Sequence, residues 1–187
     1  WSGVSSRGII ESDDSEITFF KETGFFAFKN DAYEVIFSTG TVSPSYQPGH
    51  SHCDVGSFEL FMVKDGQRLL VDSGVSQYAA GSMRKYVRSS IAHNILTVDN
   101  QDQHEVWGEF RVGARMEVVS CDISRENGDA VIRLEMKSHG VASVPYRHVR
   151  TMVFQCDSIL LRDKVQVAKP ATIDIRFNVH PDVNISK

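Results

Sequence analysis

The 187 residues carry 20 Lys and Arg against 24 Asp and Glu, a formal net charge of −4, with 41% hydrophobic and 24% charged side chains. That balance suits one globular domain with a real core, and its scattered basic residues argue against a chain-wide positive field for nucleic acid or a membrane surface; an anionic ligand would have to be held locally. No run reaches the roughly 18 apolar residues of a membrane span, no signal-peptide pattern opens the chain, and the start at Trp1 leads us to expect a piece of a longer protein.

Short apolar or alternating runs bounded by turn residues predict strands at 17–20, 25–29, 33–38, 57–63, 68–72, 94–98, 116–122, 130–136, 148–154, 158–167 and 172–180. Turn chemistry stands at Lys29-Asn30-Asp31, Asp65-Gly66, Asp99-Asn100 and Glu126-Asn127-Gly128-Asp129. A short helical turn is expected only at 81–86, and 40–56, broken by Pro44, Pro48, Gly49 and Gly56, reads as a loop. The expected fold is all-β: a single-domain, antiparallel, multi-sheet β-sandwich over residues 1–187. Cys53, Cys121 and Cys156 are too few and too far apart for a disulfide framework or a cysteine zinc knuckle, and at least two are expected to be buried hydrophobes.

The 40–56 loop ends in Gly49-His50-Ser51-His52-Cys53-Asp54-Val55-Gly56. His50, His52 and Asp54 share a parity, so an extended chain projects all three to one side, about 7 Å per pair of residues, with Cys53 on the other. Imidazole and carboxylate are natural donors for zinc or a similar divalent ion. The same string also serves as ordinary loop residues bonded to backbone, and both readings stay open here.

Strands 57–63 and 68–72 flank Asp65-Gly66 as a hairpin that carries Asp72 back toward the histidines. Counting across the turn sets Asp72 nearly opposite Glu59, so a bulge or bend near Gly56-Ser57 is needed if Asp72 is to meet His52. Further on, Arg84-Lys85-Tyr86-Val87-Arg88 precedes Ser89-Ser90-Ile91-Ala92-His93-Asn94. His93 stands at a strand entrance as a third candidate ligand, and Arg84, Arg88 and Tyr86 have the chemistry to grip an anionic sugar. The plainer alternative is a core histidine and solvated arginines.

Several of these runs come together as a series: Tyr46-Gln47-Pro48-Gly49-His50-Ser51-His52-Cys53-Asp54, Gly56-Ser57-Phe58-Glu59-Leu60, Val71-Asp72-Ser73-Gly74, Arg88-Ser89-Ser90-Ile91-Ala92-His93-Asn94, Val98-Asp99-Asn100-Gln101 and Glu105-Val106-Trp107-Gly108. In order and spacing the series resembles the heparinase II/III family, most closely over residues 24–115, with Phe177-Asn178-Val179-His180-Pro181 a weaker match. The resemblance implies a supersandwich-like β domain that forms the C-terminal part of a larger lyase, with an N-terminal helical toroid as its missing partner. It further implies β-elimination on uronic-acid polysaccharide, an exported (periplasmic or secreted) location, and zinc or another divalent ion on His52, Asp72 and His93. His50 would be the histidine entering the cleft and Asp54 would fall behind the ligands; Tyr86 and Arg88 are expected to contact substrate on their own chemistry. The chain alone would then have little or no lyase activity. Ser73, where many relatives have proline, and Cys53 depart from the pattern without removing a ligand.

A second reading is a non-catalytic carbohydrate-binding or scaffold module linked to exopolysaccharide metabolism. A cupin-like metalloenzyme, suggested by Pro48-Gly49-His50, fails on spacing, because Glu59 follows His52 too late. Among the remaining candidates, Trp107 is expected to pack on a sheet, His104 and His139 to face solvent, and His180 to sit at a core edge; Tyr78 is left between a cleft residue and an ordinary surface ring.

Overall fold

The computed structural model describes residues 7–12, 15–44, 46–47, 49, 54–138 and 144–184. Alternation dictates the first layer. Strands β1 (Arg7–Ser12), β2 (Ser15–Phe20), β3 (Phe25–Lys29), β4 (Tyr33–Ser38), β5 (Phe58–Met62) and β6 (Arg68–Leu70) form one antiparallel sheet in chain order. In β3 and β4 every second residue, Phe26, Phe28, Tyr33, Val35 and Phe37, is buried, as a period of two requires.

The chain then leaves the sheet through α1 (Ser82–Arg88), a 3-10 turn at Ser90–Ala92, β7 (Leu96–Val98) and the small hairpin β8 (Val106–Trp107) and β9 (Arg111–Val112). A second antiparallel sheet follows, again in chain order: β10 (Glu117–Glu126), β11 (Asp129–Lys137), β12 (Tyr146–Phe154) and β13 (Ile159–Val167). Finally β14 (Ile173–Ile175) pairs with β7. Asn127 and Gly128, at φ 54 and 95, join β10 to β11 in the positive-φ conformation that a two-residue hairpin needs.

The two large sheets face each other as a sandwich. Phe154 of β12 stacks on Phe26 and Phe28 of β3, with ring centroids 5.5 and 4.5 Å apart, and Ile132, Leu134, Met136 and Met152 complete the core. Each such side chain contributes roughly 1.5–3 kcal/mol on burial, so this seam is the main cohesive term. Tyr33 adds a polar clasp by donating its hydroxyl to Gln155 O at 2.6 Å; burial pushes that phenol up to about 12. The all-β sandwich expectation therefore holds, and among the described residues no helix is long and apolar enough to cross a membrane.

Several boundaries differ from the sequence expectation. β1 was not expected, because Gly8 interrupts an already short run. The 172–180 segment is a strand only at 173–175. Beyond it the chain leaves β7 and turns to the edge of β6, where Val71 N donates to Asn178 O and His180 N to Leu69 O, so its hydrogen bonds are divided between two partners. Of the cysteines, Cys156 is exposed and Cys121 only half-buried, although burial still pushes the Cys121 thiol up to about 11; Cys53 lies outside the described residues. The expectation of two buried cysteines is corrected, because Cys156 falls in the turn between β12 and β13.

Candidate metal centre

The β5–β6 hairpin does bring Asp72 back to the looped end of the first sheet, by a different register from the one counted. Leu60 pairs with Leu70 and Phe61 with Arg68, so the irregularity lies inside the hairpin and not at Gly56-Ser57. Glu59 accordingly meets Arg68, at 2.6 Å, and Asp72 reaches Ser57. Gly56 supplies the sharp re-entry with φ +83, and a Cβ there would lie 3.1 Å from Met136 Sδ, so the position takes glycine for both conformation and space.

Asp72 sits just past β6. Its Oδ1 accepts the Gly74 amide at 2.8 Å, and its Oδ2 accepts the Ser57 hydroxyl at 3.1 Å and lies 2.7 Å from His93 Nδ1. His93 ends the 3-10 turn in extended backbone and is fully buried. Asp54, also buried, brings a third donor: one ligand atom each from Asp54, Asp72 and His93 lie within 4.8 Å of one another. Beside them opens a hollow of about 460 Å³ whose lining includes Asp54, Ser57, Asp72, Phe25, Ile36 and Glu59.

Three buried polar groups hold these loops in place. The Asn94 amide donates to Phe58 O and Val71 O, at 2.7 and 3.2 Å, while its oxygen accepts the Asn178 amide. Gln103 behaves like a strand edge toward Val55, accepting from its N–H at 3.1 Å and donating to its carbonyl at 3.0 Å. Arg150 reaches inward from β12 and donates through Nη1 to Gly56 O at 2.6 Å and Asn94 O at 2.7 Å. The same guanidinium binds Asp163, at 2.9 and 3.0 Å, and His148 Nε2 lies 2.7 Å from that carboxylate. Burial alone would push Asp163 up, but the His148 and Arg150 hydrogen bonds and the Arg150 charge hold it well below the usual carboxylate range. His148 is kept below the usual imidazole range, by burial first and the neighbouring Arg150 charge second, against the opposing pull of Asp163. A neutral His148 can therefore donate Nε2–H to Asp163.

A family model described as heparinase II/III-like, C-terminal, matches residues 12–187. The chain belongs to the heparinase II/III-like C-terminal family. No curated protein and no solved structure matches it. In this heparinase II/III-like domain, two of the three expected ligands, Asp72 and His93, are in direct contact; the third, His52, and the cleft histidine His50 lie outside the described residues. Asp54, expected to fall behind the ligands, brings its carboxylate within 4.8 Å of the donor atoms of Asp72 and His93.

Tyr86 is exposed on α1, where a ring can meet a sugar. Arg88 is 1% exposed and donates to Gly108 O at 2.6 Å and Arg111 O at 3.2 Å, which makes it a brace between α1 and the β8–β9 hairpin rather than a surface contact. Arg84 is similarly buried, binds Glu109 O, and lies under the stacked Tyr78 and Phe110 rings, so neither arginine is solvated. Trp107 is 52% exposed instead of sheet-packed, because β8 is a two-residue strand with no layer over it. His104 is buried and accepts the Met116 amide at Nδ1, against its expected solvent position. His139 lies outside the described residues.

The sequence missed Ser57, Gln103 and the His148–Arg150–Asp163 group. A signal for the last existed: alternation in β12 puts His148 and Arg150 on the face shared with Met152 and Phe154, and a charged residue on an apolar face calls for a buried partner.

Proposed function

We propose that this chain is the metal-binding β domain of a polysaccharide lyase that cleaves uronic-acid polysaccharide by β-elimination. The supporting observation is the gathering of Asp54, Asp72 and His93 within 4.8 Å beside an open hollow, in a chain of this family. The donor chemistry fits a divalent ion. Two carboxylates would offset a 2+ charge, and Asp54, Asp72 and the imidazole of His93 would hold the ion. His52, two residues before Asp54, is the proposed further ligand. Zinc is the ion this donor set suits best.

When bound, the ion would supply a fixed positive charge that locks the loops. The remaining roles fall to the chain's own residues. Ser57 and the Gly74 amide orient the Asp72 carboxylate, Asn94 and Arg150 hold the backbone on either side, and Tyr86 presents a ring to the sugar. His50 is proposed to face the substrate, where C5 loses its proton and the O4 leaving group must gain one. Negative charge that builds next to the uronate carboxylate has to be neutralised there, which is a task for fixed donors in a water-poor cleft. We further propose that an N-terminal helical domain completes the cleft and that the protein acts outside the cytoplasm, in the periplasm or after secretion.

The test is incubation of this chain with heparan sulfate and with alginate, following both polymer binding and release of unsaturated 4,5-products. Binding with little or no product is expected. Robust product release by the chain alone would contradict the division of labour between two domains, and failure to bind either polymer would contradict the reading itself.

A further inference from the structure

Along the chain the basic residues look scattered; the second sheet collects several of them on one face. In β12, Tyr146, His148, Arg150, Met152 and Phe154 point into the sandwich, so Arg147, Val149 and Thr151 point out of it. Register sets Arg133, Thr151 and Arg162 in one row of this outer face and Glu135, Val149 and Lys164 in the next. At strand and residue spacings of about 4.8 and 6.8 Å, neighbouring cations stand roughly 7–10 Å apart. They surround a hollow of about 330 Å³ in which the short Val149 and Thr151 of the central strand lie between long side chains on either flank.

Four cations, Arg133, Arg147, Arg162 and Lys164, stand here against two carboxylates, Glu135 and Asp122. Glu135 takes both Arg147 and, at 3.1 Å, Arg133, and Asp122 stands 3.9 Å from Arg133. Arg162 and Lys164, both exposed and two residues apart on β13, have no side-chain hydrogen bond or ion pair among the described residues. Like charges grouped on a sheet face oppose folding, so the arrangement is not explained by stability. It is also unlike the chain as a whole, whose formal charge is −4.

We propose that this outer face is a second binding site, for a linear acidic polysaccharide whose repeating carboxylates or sulfates bridge Arg162, Lys164 and the flanking Arg133 and Arg147. The proposal rests on the reading that the chain handles acidic glycans. Arg150 points from β12 toward the metal-centre loops, so the outer face lies on the opposite side of the sheet. A long polymer held there would stay tethered while another stretch, or another chain, occupies the cleft, which raises its effective concentration. Nucleic acid is the less suited polyanion, because the hollow has no aromatic side chain on which a base could stack.

The test uses the full chain, calorimetric titration at low salt with alginate and heparan sulfate decasaccharides, and backbone-amide NMR to locate the contact. Dextran and single-stranded DNA of matched length serve as controls. We expect binding of the acidic decasaccharides, amide shifts on β11, β12 and β13, and affinity about 5- to 10-fold weaker in the Arg162→Gln/Lys164→Gln variant. Both substitutions are at exposed positions, so the fold is retained. Unchanged affinity in that variant, no binding by wild type, or equal or tighter binding of the DNA would overturn the proposal. Metal content of the same samples separates the two readings: metal-free protein that still binds through Arg162 and Lys164 would sink the metal-domain reading and leave this one intact.

Discussion

Two buried groupings of carboxylate and imidazole, one based on each sheet and linked through Arg150, are built for different ends. In the second sheet, Asp163 holds His148 at 2.7 Å and takes Arg150 on both oxygens, so the positive charge it needs is covalently part of the chain. At the end of the first sheet, two carboxylates gather round His93 beside a hollow of about 460 Å³. The first grouping is closed and acts as a strut, with Arg150 carrying its support to Gly56 and Asn94. The second is a donor set, on loops which that strut keeps in place. The difference teaches that clustering alone does not mark a metal site: Asp163 and His148 cluster as tightly, and there the counter-charge is Arg150.

The comparison is broken most directly at the strut. Arg150→Met leaves Asp163 buried without its cation and strips the Gly56 and Asn94 carbonyls of a donor, so urea denaturation should show a loss of about 3–5 kcal/mol. A loss below about 1 kcal/mol would mean that the network is not structural. Next comes the metal. In protein held with free zinc at about 100 times its dissociation constant, a chelator should remove about 2.7 kcal/mol of stability and lower the melting temperature. The same treatment of Asp72→Ala should change nothing, and an unchanged wild-type melting temperature would refute a tightly held ion.

Acid sharpens the contrast. His148 is depressed in the folded state, so above its ordinary 6.5 both states are neutral there and it contributes nothing to pH dependence. As pH falls below 6.5 the unfolded chain takes up a proton that the folded chain resists, and stability declines until the folded His148 titrates. Asp163, also depressed, contributes stability above its ordinary 3.8 that is lost as pH falls below it. Thermal melts should therefore show two successive losses, and His148→Gln should abolish only the upper one; a flat profile between pH 7 and 5 would contradict this. The smallest effect is expected at the hollow's rim, where Arg68→Ala removes an exposed pair with Glu59 and should cost less than about 1 kcal/mol by denaturation.

Much of this was legible in the residues because period-two burial is a local property. Strands at 25–29 and 33–38 match their expected bounds, and the Asn127-Gly128 turn needs only the conformations those residues favour. Asp72 and His93 were readable as a pair because family spacing carries long-range information that periodicity lacks. Arg88, at the end of α1, resembles an anion grip until its carbonyl partners, some twenty residues away, are known. Alternation in β12 marks Arg150 as inward-facing, but its partners Gly56, Asn94 and Asp163 come from three distant parts of the chain and could not be read from it. The outer cationic face likewise exists only once the β11–β12–β13 register is set.

The central claim is that the Asp54, Asp72 and His93 donors hold a divalent ion. Elemental analysis of untagged protein, dialysed without chelator, tests it most directly when wild type is set beside Asp54→Asn, His52→Ala, Asp72→Ala and His93→Gln. The account predicts zinc at about one ion per chain in wild type, lost in the Asp72, His93 and His52 variants and weakened in Asp54→Asn. Wild-type protein without metal, or metal retained in both the Asp72 and His93 variants, would contradict it.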